Sequence, residues 1–268
     1  MPTILLINDD GIRSAGLLAL KNQMESLGKV TIVAPRDEKS GIGKALTASG
    51  RVKVTETRLE DGFGAYAVTG TPADAFLLAL NKILKRPPDL LVAGINLGPN
   101  LGVEDLLNSG TLGAALEAAL HGVPAIAISY CMREVRGKEE VTLEELEPTA
   151  LLARRVAEYV LERGMPPEVD IISINVPEKA DTRRVKVTRL SYKGYGDIHK
   201  KQRNGYSIMG WTLAGYPDDA PGTDVYTIKK ENCVSLTPIK IRFYHNKRTL
   251  EGIKTHILLN LNDVSVCI

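Results

Sequence analysis

The sequence predicts an α/β fold in which a mostly parallel sheet is covered by helices on both faces. Three observations lead there. Apolar runs at residues 4–7, 30–33, 90–95, 125–129 and 171–176 are too hydrophobic to carry a solvent face, as buried parallel strands are. Segments with apolar residues at helical spacing separate most of these runs, which is the alternation of strand–helix–strand units. At 268 residues and 44% hydrophobic content, the chain can bury a sizeable core.

The first run leads straight into Asn8-Asp9-Asp10-Gly11, a turn sequence with two adjacent carboxylates. Leu17, Leu18, Leu20, Met24 and Leu27 then fall at helical spacing, with Gly28 placed to end that helix. The second strand closes at Ala34-Pro35, and a polar, glycine-bearing loop covers 36–44. Residues 52–55 and 65–68, separated by Glu60-Asp61-Gly62, read as a hairpin inserted into the α/β pattern. Thr71-Pro72-Ala73-Asp74 marks a helix start, with Thr71 as N-cap, Pro72 at the first helical position and an acid in the first turn. Phe76, Leu77, Leu80 and Leu84 are its expected inward face, and Pro87-Pro88 its stop.

The strand at 90–95 ends at Asn96, and a long glycine-rich connection over 97–109 follows. An alanine-rich helix over 110–121 comes next, its small side chains permitting close approach to the sheet. After the strand at 125–129, Thr142-Leu143-Glu144-Glu145 is a capping-box sequence for a long helix towards Arg163, with Pro148 a candidate to delay its start. Beyond residue 177 the chain becomes richer in Lys, Arg, Tyr and Gly, and helical periodicity weakens. Residues 1–177 are thus expected to form the core, and 178–268 a smaller C-terminal extension of strands, loops and a projecting arm. The basic cluster His199, Lys200, Lys201 and Arg203 is expected on that arm, solvated or in a subunit contact. The run at 257–266 is apolar enough to pack back, as helix or strand.

Composition narrows the function classes. A net charge of +2 favours neither a nucleic acid duplex nor a membrane surface as partner. No run reaches the roughly 18–20 apolar residues of a membrane span, and the N-terminus enters a strand without a signal-peptide pattern. Cys131, Cys233 and Cys267 are scattered and odd in number, which fits a reducing cytoplasm better than a disulfide framework or zinc site. His121, His199, His245 and His256 form no H-E-x-x-H pattern. No GxGxxG follows the first strand, and Gly41-Ile42-Gly43-Lys44 lacks P-loop spacing, so a dinucleotide cofactor and an NTPase are both disfavoured.

The chemistry is expected where the parallel strands end on one rim. Asp9, Asp10, Ser40 and Asn96 are all oxygen donors, a hard set suited to Mg²⁺, Mn²⁺ or Ca²⁺. Asn108-Ser109-Gly110-Thr111 opens the alanine-rich helix, and a helix N-terminus attracts phosphate. Asn100 and Ser40-Gly41 offer further donors to an anion. Taken singly, Asp-Asp-Gly is a common turn and Ser109 or Thr111 a plain N-cap; their convergence on one rim makes the case.

These residues also carry a resemblance. Ile4-Leu5-Leu6-Ile7-Asn8-Asp9-Asp10-Gly11, Ala34-Pro35 with Ser40-Gly41, Gly70-Thr71-Pro72-Ala73-Asp74, Gly94-Ile95-Asn96 with Gly98, Asn100 and Gly102, and Ser109-Gly110-Thr111 occur in this order. Gly222-Thr223-Asp224 and Val234-Ser235-Leu236-Thr237-Pro238 extend the match more weakly. Together they resemble the SurE family, stationary-phase survival proteins acting as metal-dependent nucleoside monophosphate phosphatases. The resemblance implies a Rossmann-like three-layer core with an extension used in dimer or tetramer assembly. It implies one divalent metal ion, Mg²⁺ or Mn²⁺, held by Asp9, Asp10, Ser40 and Asn96. The implied substrates are 5′- and 3′-nucleotides, and short polyphosphate. Two departures stand out. Ile42-Gly43-Lys44-Ala45 replaces the usual further serines, and Asn108 stands where an aromatic is usual in a connection one residue longer.

The expected reaction is metal-assisted hydrolysis of a phosphate monoester, with Asp9, Asp10 and Asn96 at its centre and Asp9 accepting the proton of water. No general acid for the leaving group is assigned, since neither His245 nor His256 sits in a motif that points to that role. The alternatives are a non-catalytic nucleotide-binding protein and a receiver-like, Mg²⁺-binding signalling domain. The latter requires a phosphorylatable aspartate where this chain has Asn96, and a chain about half as long.

Overall fold

A computed structural model describes residues 1–133, 140–208, 212–242 and 251–255. The apolar run at 257–266, His245, His256 and Cys267 lie outside the described residues.

Strand β1 (Thr3–Ile7) is buried from Ile4 onward. Asn8 shapes the turn after it: its buried amide donates to the Gly11 carbonyl at 3.1 Å and to Ser14 Oγ at 2.6 Å. Ser14 in turn caps α1 (Ala15–Met24) by accepting from the Leu17 N–H. Gly28 lies beyond the helix end, and its role is close approach: a Cβ there would sit 2.5 Å from the Pro2 carbonyl oxygen. Strand β2 (Lys29–Pro35) runs parallel to β1. The expected hairpin forms from β3 (Val54–Arg58) and β4 (Gly64–Val68), and β4 pairs with β2, so the hairpin extends the sheet edge.

Helix α2 (Pro72–Leu78) carries both halves of a capping box between Thr71 and Asp74. It continues into a π-type turn over Ala79–Ile83 and stops at Leu84, ahead of the prolines. Phe76 is fully buried, and Leu77, Leu80 and Leu84 are half-buried against the same apolar cluster, as the spacing predicts; Ala75 and Ala79 are fully buried beside them. Strand β5 (Leu90–Leu97) carries an irregularity between Ala93 and Asn96. Gly94 fits there because a Cβ would stand 2.3 Å from the Ile128 carbonyl oxygen.

The glycine-rich connection is more ordered than its composition predicts. It holds a short helix, α3 (Gly102–Asn108), whose seven residues are too few to display apolar periodicity. Helix α4 (Gly110–Leu120) and strand β6 (Ala125–Cys131) follow. Helix α5 (Leu143–Arg163) begins directly at its Thr142 cap, and Pro148 does not delay it. Glu145 accepts from the Tyr130 hydroxyl at 2.6 Å, which ties the helix to β6.

Strand β7 (Ile171–Pro177) is followed by β8 (Val185–Val187), by an exposed two-stranded arm of β9 (His199–Gln202) and β10 (Gly205–Ile208), by α6 (Asp224–Lys229) and by β11 (Val234–Ile239). Among the described residues the main sheet has nine strands, in the order β3-β4-β2-β1-β5-β6-β7-β11-β8. Its centre is parallel, and β11 joins β7 antiparallel. Helices α1 and α5 pack together on one face and α2 and α4 on the other, each over its own buried apolar cluster. The fold is therefore a three-layer α/β/α sandwich.

A third buried cluster joins Leu101, Cys131, Tyr216, Val225 and Ile228. Within it the Tyr195 and Tyr216 hydroxyls donate to the Asp105 carboxylate, and the Leu101 N–H donates at 2.6 Å. Burial pushes the Asp105 carboxyl up to about 7, against the hydrogen bonds from Tyr216 and Leu101, and the charges of Asp224 and Glu104 push it further up. Because the folded value exceeds the unfolded one of about 3.9, the stabilising contribution of protonated Asp105 is complete below about pH 4 and lost as pH rises through about 7. Asp105→Asn is expected to flatten the urea midpoint across that window. An unchanged pH slope would contradict the assignment.

Candidate active site

The strand order reverses at β1: β2 lies on one side of it and β5 on the other. Open α/β sheets leave a crevice beyond the carboxyl ends of the strands at such a point. Asp9 and Asp10 follow β1 at this crevice, and Asn96 stands near the end of β5.

The two aspartates make contacts with different elements. Asp9, only 3% exposed, sits against the start of α4. Its Oδ1 accepts from Thr111 Oγ1 at 2.5 Å. A Cβ at Gly110 would lie 2.7 Å from Asp9 Cβ and 2.9 Å from Oδ2, so only glycine lets the carboxylate reach the helix start. Asp10 is half-buried; its Oδ2 accepts from the Leu97 N–H at 3.1 Å, beside Asn96. Asp10 also lines a cavity shared with Ser14 and Ala15 at the start of α1.

The loop over 36–44 is fastened at both ends. The Lys39 N–H donates to the Asp9 carbonyl at 2.7 Å, and the Gly43 N–H to the Asn108 carbonyl at 2.7 Å. Lys44 forms an ion pair with buried Glu117 of α4. Of the two departures from the family pattern, Lys44 thus helps hold the loop to α4 through its side chain, whereas Asn108 acts through its backbone carbonyl, which any residue would supply. Ser40 lies exposed on this loop, one residue beyond the Lys39 contact, and its hydroxyl donates to Glu38 Oε1 at 2.5 Å. Gly41 follows it with a left-handed φ of 67°. Asn96 donates its amide to the Gly98 carbonyl at 2.8 Å, so its side-chain oxygen is the atom left to face a cation.

Asp9 thus contacts Gly110 and Thr111 at the start of α4, Asp10 contacts the end of β5 beside Asn96, and the backbone of Asp9 holds the loop that carries Ser40 and Gly41. Two other candidates have structural work. Ser109 Oγ accepts from the Leu112 N–H at 3.2 Å as the N-cap of α4. Asn100 is buried; its side chain donates to Ser129 Oγ at 2.9 Å, and its backbone exchanges hydrogen bonds with the Asn175 amide. Ser109→Ala is expected to cost about 1 kcal/mol of stability, read by urea unfolding. No loss would contradict the capping role.

Two carboxylates, an amide oxygen and a hydroxyl form a hard-oxygen set that fits a divalent cation sharing its shell with water and phosphate. Among the described residues no group of three or more His, Cys, Asp or Glu side chains gathers as a metal cluster. Sequence reasoning missed the Leu97 N–H, the Asn108 carbonyl and the Lys44–Glu117 pair. Each depends on which strands are neighbours, and no local motif announces it.

Fold and site together define a three-layer α/β protein with an acidic, oxygen-donor centre at the switch point of its parallel sheet. The family model of Survival protein SurE matches residues 4–197, and the chain belongs to the SurE family. It is 43% identical to the 5′-nucleotidase SurE of Methanothermobacter thermautotrophicus over 245 residues, 91% of this chain and 92% of that one. It is 36% identical to the 5′-nucleotidase SurE of Methanobrevibacter smithii over 241 residues, 88% of this chain and 93% of that one. The crystal structure of the SurE protein from Aquifex aeolicus superposes with a TM-score of 0.75 at 32% identity, covering 96% of this chain and all of that chain.

Proposed function

We propose that this chain is a metal-dependent phosphatase that hydrolyses nucleoside monophosphates to nucleoside and phosphate. One observation carries the reading: at the β1–β5 switch point Asp9, the first of two adjacent carboxylates, meets the N-terminus of α4, so hard-oxygen donors and an anion-binding helix end adjoin. Membership of a family whose relatives are named 5′-nucleotidases supplies the substrate class. The substrates are 5′-nucleotides, with 3′-nucleotides and short polyphosphate as further ones.

Asp9, Asp10, Ser40 and Asn96 would hold one Mg²⁺ or Mn²⁺. When bound, that ion supplies positive charge to a phosphoryl oxygen and lowers the pKa of water. The chain's own groups do the rest. Within α4 the Leu112 and Gly113 N–H groups are already satisfied by Ser109, which leaves the Gly110 and Thr111 amides for charge developing on the phosphoryl group. Gly41, next to Ser40, lets the loop backbone come close to the phosphate. Asp9, fixed by Thr111, accepts the proton of the attacking water. Thr111 holds that carboxylate in one orientation throughout.

The arm, with exposed Tyr206 and Ile208, is the expected contact of a homodimer or homotetramer. Among the described residues no helix is long and apolar enough to cross a membrane. A cytoplasmic enzyme accords with the free, buried Cys131 and Cys233.

The test is phosphate release from AMP and p-nitrophenyl phosphate by purified protein with Mn²⁺ or Mg²⁺. Release that requires the ion and stops with EDTA is expected; no release under any of these conditions would overturn the reading. Labelling by acetyl phosphate, the mark of a receiver-like domain, is not expected.

A further inference from the structure

A cavity of about 710 Å³ opens on the α1 side of Asp10, away from the helix start that faces Asp9. Its size is that of a small-molecule site. Asp10, Gly11 and Leu97 form one wall of this cavity, so a phosphate ester seated at the aspartate pair has open space for its leaving group there.

Its lining has a distinct chemistry. Leu18, Leu59 and Leu143 supply apolar walls, suited to a planar ring and a ribose. Arg13, Arg36 and Arg58 bring three guanidinium groups, which only donate hydrogen bonds and which stack on aromatic faces. Arg36 is paired with Asp37, and Arg58 donates to the Gly62 carbonyl at 2.8 Å, which steadies the β3–β4 turn at the cavity mouth. Arg13 has no ion pair among the described residues. Glu60 on the same turn adds one carboxylate acceptor.

We propose that this cavity receives the nucleoside and favours a 6-oxopurine base, a proposal that rests on the phosphatase reading above. Guanidinium donors match the O6 and N7 acceptors of guanine or hypoxanthine, whereas Glu60 accepts from the ring N1–H. Adenine carries an amino donor at the O6 position, where it meets donors. Cytosine likewise carries an amino donor, at N4, and has no counterpart of the purine N7 acceptor.

The experiment compares kcat/KM for GMP, IMP, AMP, CMP and p-nitrophenyl phosphate with Mn²⁺ in the parent, Arg13→Ala, Arg58→Ala and Glu60→Ala proteins. The parent is expected to prefer GMP and IMP to CMP by roughly tenfold. Arg58→Ala and at least one of the other variants are expected to remove most of that preference through KM, with p-nitrophenyl phosphate turned over as before. Equal rates on GMP and CMP, or variants that slow p-nitrophenyl phosphate as much as GMP, would overturn the proposal and leave the phosphatase reading standing. A parent inactive even on p-nitrophenyl phosphate would overturn both.

Discussion

Asp9→Asn is expected to lower kcat/KM for AMP by about two to three orders of magnitude. Asparagine keeps the oxygen that accepts from Thr111 and keeps the volume beside Gly110, so the turn and the start of α4 should hold their shape. What it removes is one of the two charges that would hold the cation, together with the proposed acceptor of the water proton. A second readout separates cation binding from chemistry. Mn²⁺ at about a hundred times its dissociation constant is expected to stabilise the parent by about 2.7 kcal/mol, and the variant by much less at the same concentration. Without metal the variant should be at least as stable as the parent, because one of two neighbouring like charges is gone. Parent-like phosphate release by Asp9→Asn would remove the aspartate pair from the mechanism.

The second large effect concerns the scaffold. Gly16→Ala places a methyl group on α1 where a Cβ would meet the Ile95 carbonyl oxygen at 2.2 Å. Helix propensity alone favours alanine there by up to about 1 kcal/mol. The clash wins, because the obstacle is backbone of the buried strand β5 and cannot swing aside. Overpacking of this kind costs about 1–3 kcal/mol or more, so a net loss of roughly 2 kcal/mol and a Tm lower by about 4–8 °C are expected. Moving α1 off β5 also displaces Asn96, one residue beyond Ile95, so activity should fall further than stability alone predicts. Calorimetry and the AMP assay on one preparation check both; a variant as stable as the parent would show that α1 does not rest on β5 in this way.

Much of the scaffold was legible because the responsible signals act over a few residues. Thr71 and Asp74 form a capping box within one turn of helix, and Thr142 and Ser109 cap their helices through bonds to residues three positions on. Buried strands announce themselves by runs that leave no polar face, as at Leu90–Leu97. The signals fail where they are weak or overridden. Helix α3 escaped notice because seven residues with two glycine-rich neighbours show no period. Gly28 looked like a helix stop, yet its reason is the Pro2 backbone, which is next to it only in the folded sheet.

The candidate site divides in the same way. By itself the sequence determined the donor types: an aspartate pair after the first strand, Ser40 and Asn96 after others, and a helix start at Ser109-Gly110-Thr111. Only the tertiary structure decided how these are used. Asp9 meets Thr111 across 102 residues and Asp10 meets Leu97 across 87, contacts that exist because β5 inserts beside β1. That strand order commits Ser109 to capping, ties Asn100 to Asn175 and Ser129, and sets Asp9 against a helix end and Asp10 at the edge of a cavity. Local sequence specifies the chemistry of each side chain. The direction it faces is set by packing between strands far apart in the chain, which no short motif encodes.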